Sequence, residues 1–255
     1  MQKIFFIILF FISLSGYSNK DSINVDTTKC KIESFYEVNL SSRNIWRGID
    51  FGNYSPCVFG LVGITYKKLE IGAYGITSLT GTNIGYGNTF NVYSALKFKY
   101  ISFYIEDYYF NGDISNIQTD YLDWNNTHFL ENRIKIEHKG FHLIGGYTLA
   151  GGKFYNITSP FNNTQAVYLE VGYKLKHWSL SIGGITGPSA LNFHDKEGIT
   201  NILLKHKSEI QKLGNLPVEI GMCYNPNYNN IAPKGIPRYG YGNNAFNFLI
   251  TIILI

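Results

Sequence analysis

From Tyr100 to Phe110 the apolar side chains Ile101, Phe103 and Ile105 stand two residues apart, with Ser102, Tyr104 and Glu106 between them. Helical faces repeat at three and four residues, so this spacing describes a strand with one oily and one wettable side. Val167, Leu169, Val171, Tyr173 and Leu175 repeat the design against Ala166, Tyr168, Glu170, Gly172 and Lys174. About twelve such segments are readable, centred on 33–48, 57–67, 69–78, 89–99, 100–110, 129–138, 141–150, 165–175, 177–186, 198–207, 217–224 and 244–254.

The connections alternate in length. Lys67-Lys68, Lys99-Tyr100, Lys139-Gly140 and Lys176-His177 join strands almost directly, whereas 49–56, 79–88, 111–128, 151–164, 187–197 and 225–243 are longer and rich in Asn, Gly, Asp and Pro. Short periplasmic turns and long outer loops are the asymmetry of outer-membrane barrels, and an even strand number puts both ends on one side. The last segment, with Phe246, Phe248, Ile250, Ile252 and Leu254 on one face, needs a partner for its edge. Closing against the first strand supplies it. Charged residues make up only 16% of the chain and aromatics another 16%, which suits strands in contact with lipid.

The expected fold is therefore all-β: a closed antiparallel up-and-down transmembrane β-barrel of about twelve strands. Ten tilted residues rise roughly 25 Å, the height of a barrel's apolar band. A secreted soluble β-sandwich also alternates, but its oily face would point to a core. Here nearly every strand carries that face, and the opposite face is small, charged or Tyr-bearing.

Lys3 followed by the apolar run from Ile4 to Ile12, then Ser15, Gly16 and Ser18, has the form of a secretory signal peptide. The expected organisation is a signal over 1–18, a short periplasmic segment over 19–31 and the barrel over 32–255, located in a bacterial outer membrane. No cysteine follows the apolar run to carry a lipid anchor. Cys30, Cys57 and Cys223 form no metal pattern. Only Cys57 and Cys223 would share a side of the membrane, and free thiols are expected. A net charge of +4 spread along the chain offers no basic block for nucleic acid.

Parity assigns the faces. Glu37, Arg47, Tyr104, Glu106, Glu131, Arg133, Lys135, Glu137 and Glu170 are the expected pore-lining residues, and Trp46, Tyr66, Tyr147, Tyr173 and Trp178 the expected aromatic belt. In the first strand, taken as unbroken, Tyr36, Val38 and Leu40 share a face with Trp46, and Glu37 shares the other with Arg47. Gly48 then ends the strand or marks a bulge.

Ser42-Arg43-Asn44-Ile45-Trp46-Arg47-Gly48-Ile49, followed by Pro56, Gly60 and Tyr66, resembles the N-terminal signature of the TorF family of porins, and Leu216-Pro217-Val218 with Asn225-Pro226 is similar to its penultimate strand and final loop. The resemblance implies an outer-membrane location and a pore-like role, and it supplies no catalytic residues. Cys57 after Pro56 and the Asn-rich loops depart from the family and leave the solute open.

Other motifs carry no chemistry. Ser94-Ala95-Leu96-Lys97 matches S-x-x-K, but positions three apart on a strand point to opposite faces. Gly240 to Ala245 fits G-x-G-x-x-A without the strand before and helix after that a dinucleotide needs. The six histidines form no zinc spacing. An enzyme alternative, a barrel-borne lipid hydrolase, would use outward His138 or His206 with a Ser on a neighbouring strand. The favoured expectation is no enzyme, no cofactor and no metal: a porin-like channel passing small polar solutes, partnered by outer-membrane lipid and inserted by barrel-assembly machinery. The alternative to passage is a closed structural barrel.

Overall fold

The computed structural model describes residues 31–51, 54–79, 88–110, 128–151, 166–189, 194, 196–211, 215–230 and 245–254. The signal expected over 1–18 and, apart from Lys31, the periplasmic segment expected over 19–31 lie outside them, as does the 240–244 part of the Gly-rich motif.

Twelve antiparallel strands close into a barrel. In chain order they are β1 (Ile32–Ser41), β4 (Cys57–Tyr66), β5 (Leu69–Ser78), β6 (Thr89–Lys97), β7 (Ile101–Phe110), β8 (His128–His138), β9 (Phe141–Gly151), β10 (Val167–Leu175), β11 (Trp178–Ile185), β12 (Gly198–Ile210), β13 (Leu216–Tyr224) and β14 (Phe246–Ile253). Two short strands, β2 (Ile45–Trp46) and β3 (Ile49–Asp50), make a separate hairpin between β1 and β4. Each barrel strand pairs with its sequence neighbour, and β14 returns to β1 through Asn39↔Ile253, Leu40↔Ile252 and Ser41↔Thr251. Ser42 N–H donates to Ile250 O at 2.8 Å, and Leu254 N–H to Val38 O at 2.9 Å, extending the seam.

The alternation sorts the faces as hydrophobicity requires. Phe103, Ile105, Leu169, Leu180, Phe248 and Ile250 stand on the outside, each 46–66% exposed. Such a continuous oily surface is stable only against lipid or another apolar phase. Ser94 falls on this outer parity while Lys97 turns inward to Glu70, so the S-x-x-K pair is split across the wall.

Inside, large side chains of one strand lie over glycines of the next. A Cβ on Gly63 would stand 2.3 Å from the Phe35 ring, and one on Gly72 2.7 Å from the Tyr93 ring. These bare positions let rings fold flat against the wall of a narrow barrel. At the short-turn end, Lys139 (φ 48°) and Gly140 (φ 88°) are both left-handed, as a two-residue turn of matching twist demands.

The first strand ends earlier than its alternation suggests. It stops at Ser41, whose Oγ donates to Arg43 O at 2.9 Å, and the chain then turns away from the wall. Residues 42–48 are not strand continuation in the sheet; 45–50 are the hairpin. Cys57 and Cys223 are free and buried. Strands β14 and β1 intervene between their strands, so three interstrand steps of about 4.8 Å exceed the roughly 7 Å a disulfide spans.

Candidate functional site: a hairpin in the lumen

The hairpin is built on Arg47 (φ 48°) and Gly48 (φ 88°), the same left-handed pair as at Lys139-Gly140. Trp46↔Ile49 and Ile45↔Asp50 pair across it, and Phe51 N–H donates to Asn44 O at 2.8 Å. A non-glycine residue with positive φ costs about 1 kcal/mol, and at Arg47 the contacts of the guanidinium offset that.

Those contacts lie inside the barrel. Arg47 Nη2 donates to both Glu131 oxygens, at 2.9 and 2.8 Å. The guanidinium is sandwiched between the Trp46 and Tyr168 rings, 4.3 and 4.1 Å from their centroids. Tyr108 donates to Glu131 at 3.0 Å. Beside it on β7, directly across from Glu131, Glu106 holds Arg133 at 2.8 Å and accepts from Tyr74. Two carboxylates side by side would repel, and the two guanidiniums neutralise them; buried charges persist only when paired in this way.

Gly48 has no room for a side chain. A Cβ there would meet Thr200 O at 1.9 Å. Asn225 Nδ2 donates to Gly48 O at 3.2 Å, and Asn225 Oδ1 accepts Asn227 N–H at 2.8 Å. The arms are held too: Arg43 donates to Asp50 at 3.2 Å and to Asn247 on β14 at 3.0 Å. Trp46 packs on Phe51 and Tyr108, with centroids 5.8 and 5.6 Å apart. Ile49, Phe51, Tyr108 and Phe129 are buried, so the hairpin carries the dry core of the long-loop half. Each such side chain contributes about 2 kcal/mol.

Two register shifts flank the tip. One lies between Leu130 and Glu131 on β8, against β9; the other lies between Gly183 and Gly184 on β11, where Thr200 is the extra residue of β12. Bulges re-aim neighbouring side chains, and these stand where Glu131 and Thr200 meet the hairpin.

Of the residues expected to line a pore, Glu37, Tyr104, Glu106, Glu131, Arg133, Lys135, Glu137 and Glu170 stand on the inner face. Arg47 is also inside, but on the hairpin tip rather than on the wall. Trp46 corrects the expectation: it is inside against Tyr108, not in an outer head-group belt. Period-two spacing cannot distinguish a strand that runs on from one that breaks and folds back two residues wide. The Arg-Gly pair, a two-residue turn signal, was the clue. Tyr66, Tyr147, Tyr173 and Trp178 lie on the outer parity.

The lumen differs along its axis. In the long-loop half, Glu106 and Glu131 are 1% exposed. Towards the short turns, Lys135, Lys205 and Glu219 side chains keep 32, 31 and 25% of their surface, paired as Lys135–Glu137 and Lys205–Glu219. Glu170 accepts from Tyr168 at 2.6 Å and from Asn201 at 3.2 Å, with His142 at 3.3 Å.

On the outer parity, His128 Nδ1 lies 3.0 and 2.9 Å from the Asp107 oxygens. Its members come from different strands, so spacing gave no sign of it. His138 packs on Tyr100 and His206 on Trp178, with centroids 4.8 and 4.4 Å apart. Among the described residues no group of three His, Cys, Asp or Glu side chains is gathered as for a metal.

No family model matches the chain, and no curated protein does. A solved structure that the chain matches is Wzi, an outer membrane protein involved in group 1 capsule assembly in Escherichia coli and a carbohydrate-binding β-barrel, at 12% identity and a TM-score of 0.35. The match covers 87% of this chain and 56% of Wzi, so the chain spans little more than half of that protein's length. The chain folds as a closed twelve-stranded antiparallel barrel, with a hairpin of its own first long connection inside.

Proposed function

We propose that this chain is an outer-membrane porin-like channel for small polar solutes, exported by its N-terminal segment, without catalytic activity, and narrowed by the 45–50 hairpin. The observation that carries this reading is that the obstruction is a six-residue local element, while the wall behind it keeps charged, water-accessible side chains. Opposed charges on a narrow wall select solutes by size and sign. The likeness to the TorF porins at Trp46-Arg47-Gly48 now falls on this hairpin tip.

In a planar bilayer the protein should give small, discrete conductance steps. Lys135→Glu with Lys205→Glu should shift ion preference towards cations, since both lysines are part-exposed on the inner face. Arg133 is a poorer choice, because its partner Glu106 is buried and would be left as an unpaired carboxylate. Unchanged selectivity removes these lysines from the path. The rings folded over Gly63 and Gly72 favour a second reading, a closed structural barrel. Silence from folded, inserted protein would decide for it.

A further inference from the structure

The four fully described short connections, 67–68, 98–100, 139–140 and 176–177, contain Lys67, Lys68, Lys99, Lys139 and Lys176 and no Asp or Glu. All five lysines are exposed. The nearest carboxylates, Glu33, Glu70, Glu137 and Glu209, stand on the inner parity, with Glu70 paired to Lys97 at 2.6 Å and Glu137 to Lys135 at 2.9 Å. The long connections differ: their acidic and basic residues are equal in number, with Asp113, Asp120 and Asp123 in 111–127 against Lys234 and Arg238 in 225–245. One end of the barrel is thus a cationic ring without counter-charge in its turns.

Rings underlie that charge. Lys67, Lys68 and Lys99 stand over Tyr66, Phe98 and Tyr100 at 5.2, 4.7 and 4.9 Å. Phe98, Tyr100, Tyr173 and Trp178 are 44–52% exposed at the same end. An aromatic collar at head-group depth with ammonium groups just beyond it matches the phosphate layer of a leaflet. Clustered lysines at a membrane surface select anionic over zwitterionic lipid.

We infer that the short-turn rim binds anionic phospholipid head groups, the lysines meeting phosphate and the rings the glycerol and upper acyl region. The inference rests on the membrane reading. The test uses the full mature chain in phosphatidylcholine vesicles containing one fifth phosphatidylglycerol, measuring the immobilised fraction of spin-labelled phosphatidylglycerol and phosphatidylcholine. Phosphatidylglycerol should associate about fivefold more strongly. The preference should fall towards unity in high salt and in the variant with Lys67, Lys68, Lys99, Lys139 and Lys176 changed to Gln. Equal association of both lipids overturns the inference, as does a preference unmoved by salt and by the five changes. Inorganic phosphate that competes beyond a chloride control of equal ionic strength would assign a free-anion site and also overturn it. If neither lipid is immobilised, the membrane reading itself fails, which separates the two results.

Discussion

A barrel whose residues 44–51 are replaced by a short Gly-Ser link should conduct roughly tenfold better than the native chain, because a twelve-stranded wall leaves a narrow lumen that the hairpin fills. The exchange removes the Trp46 ring from Tyr108 together with the buried side chains of Ile49 and Phe51, and leaves the wall pairing of β1 with β4 and β14 intact. Heat-modifiable gel mobility checks that the barrel still folds. Folded, inserted protein with native conductance would show that the hairpin is not the obstruction. A fall to silence in both forms would favour the closed barrel.

Glu131→Ala should release the same hairpin without removing it. The substitution leaves Arg47, whose side chain is 6% exposed, as a buried cation without its carboxylate. Such a loss costs about 3–5 kcal/mol, and the hairpin can avoid it by swinging out while the barrel stays closed. The open population then rises roughly a hundredfold or more. Trypsin should cut after Arg47 in the folded variant and spare it in the native barrel. Equal protease resistance of native and Glu131→Ala barrels would mean that the ion pair does not hold the tip.

The wall was legible because its rule is local. Ile101, Phe103 and Ile105 declare a face by spacing alone, and Lys139-Gly140 declares a turn, so strand number and inner parity follow from neighbours in sequence. The hairpin was not legible because its residues obey the same spacing: Leu40 and Trp46 are in phase, but Ser41 to Arg43 leave the sheet between them. What holds it there is long-range. Glu131 and Thr200 reach Arg47 and Gly48 across the lumen, and their register shifts leave no mark in the sequence. Asp107 and His128 escaped for the same reason, since cross-strand partners on β7 and β8 are unrelated in spacing.

Barrels keeping a single tryptophan, with the others of its three changed to Phe, place both halves of the account in one fluorescence experiment. In vesicles of brominated phosphatidylcholine, Trp178, 52% exposed on the outer face, should be strongly quenched, and Trp46, packed on Tyr108 and Phe51, should not. Strong quenching of Trp46, or a Trp178 that stays bright in the same lipid, would contradict the arrangement of an oily exterior around a lumen-bound hairpin.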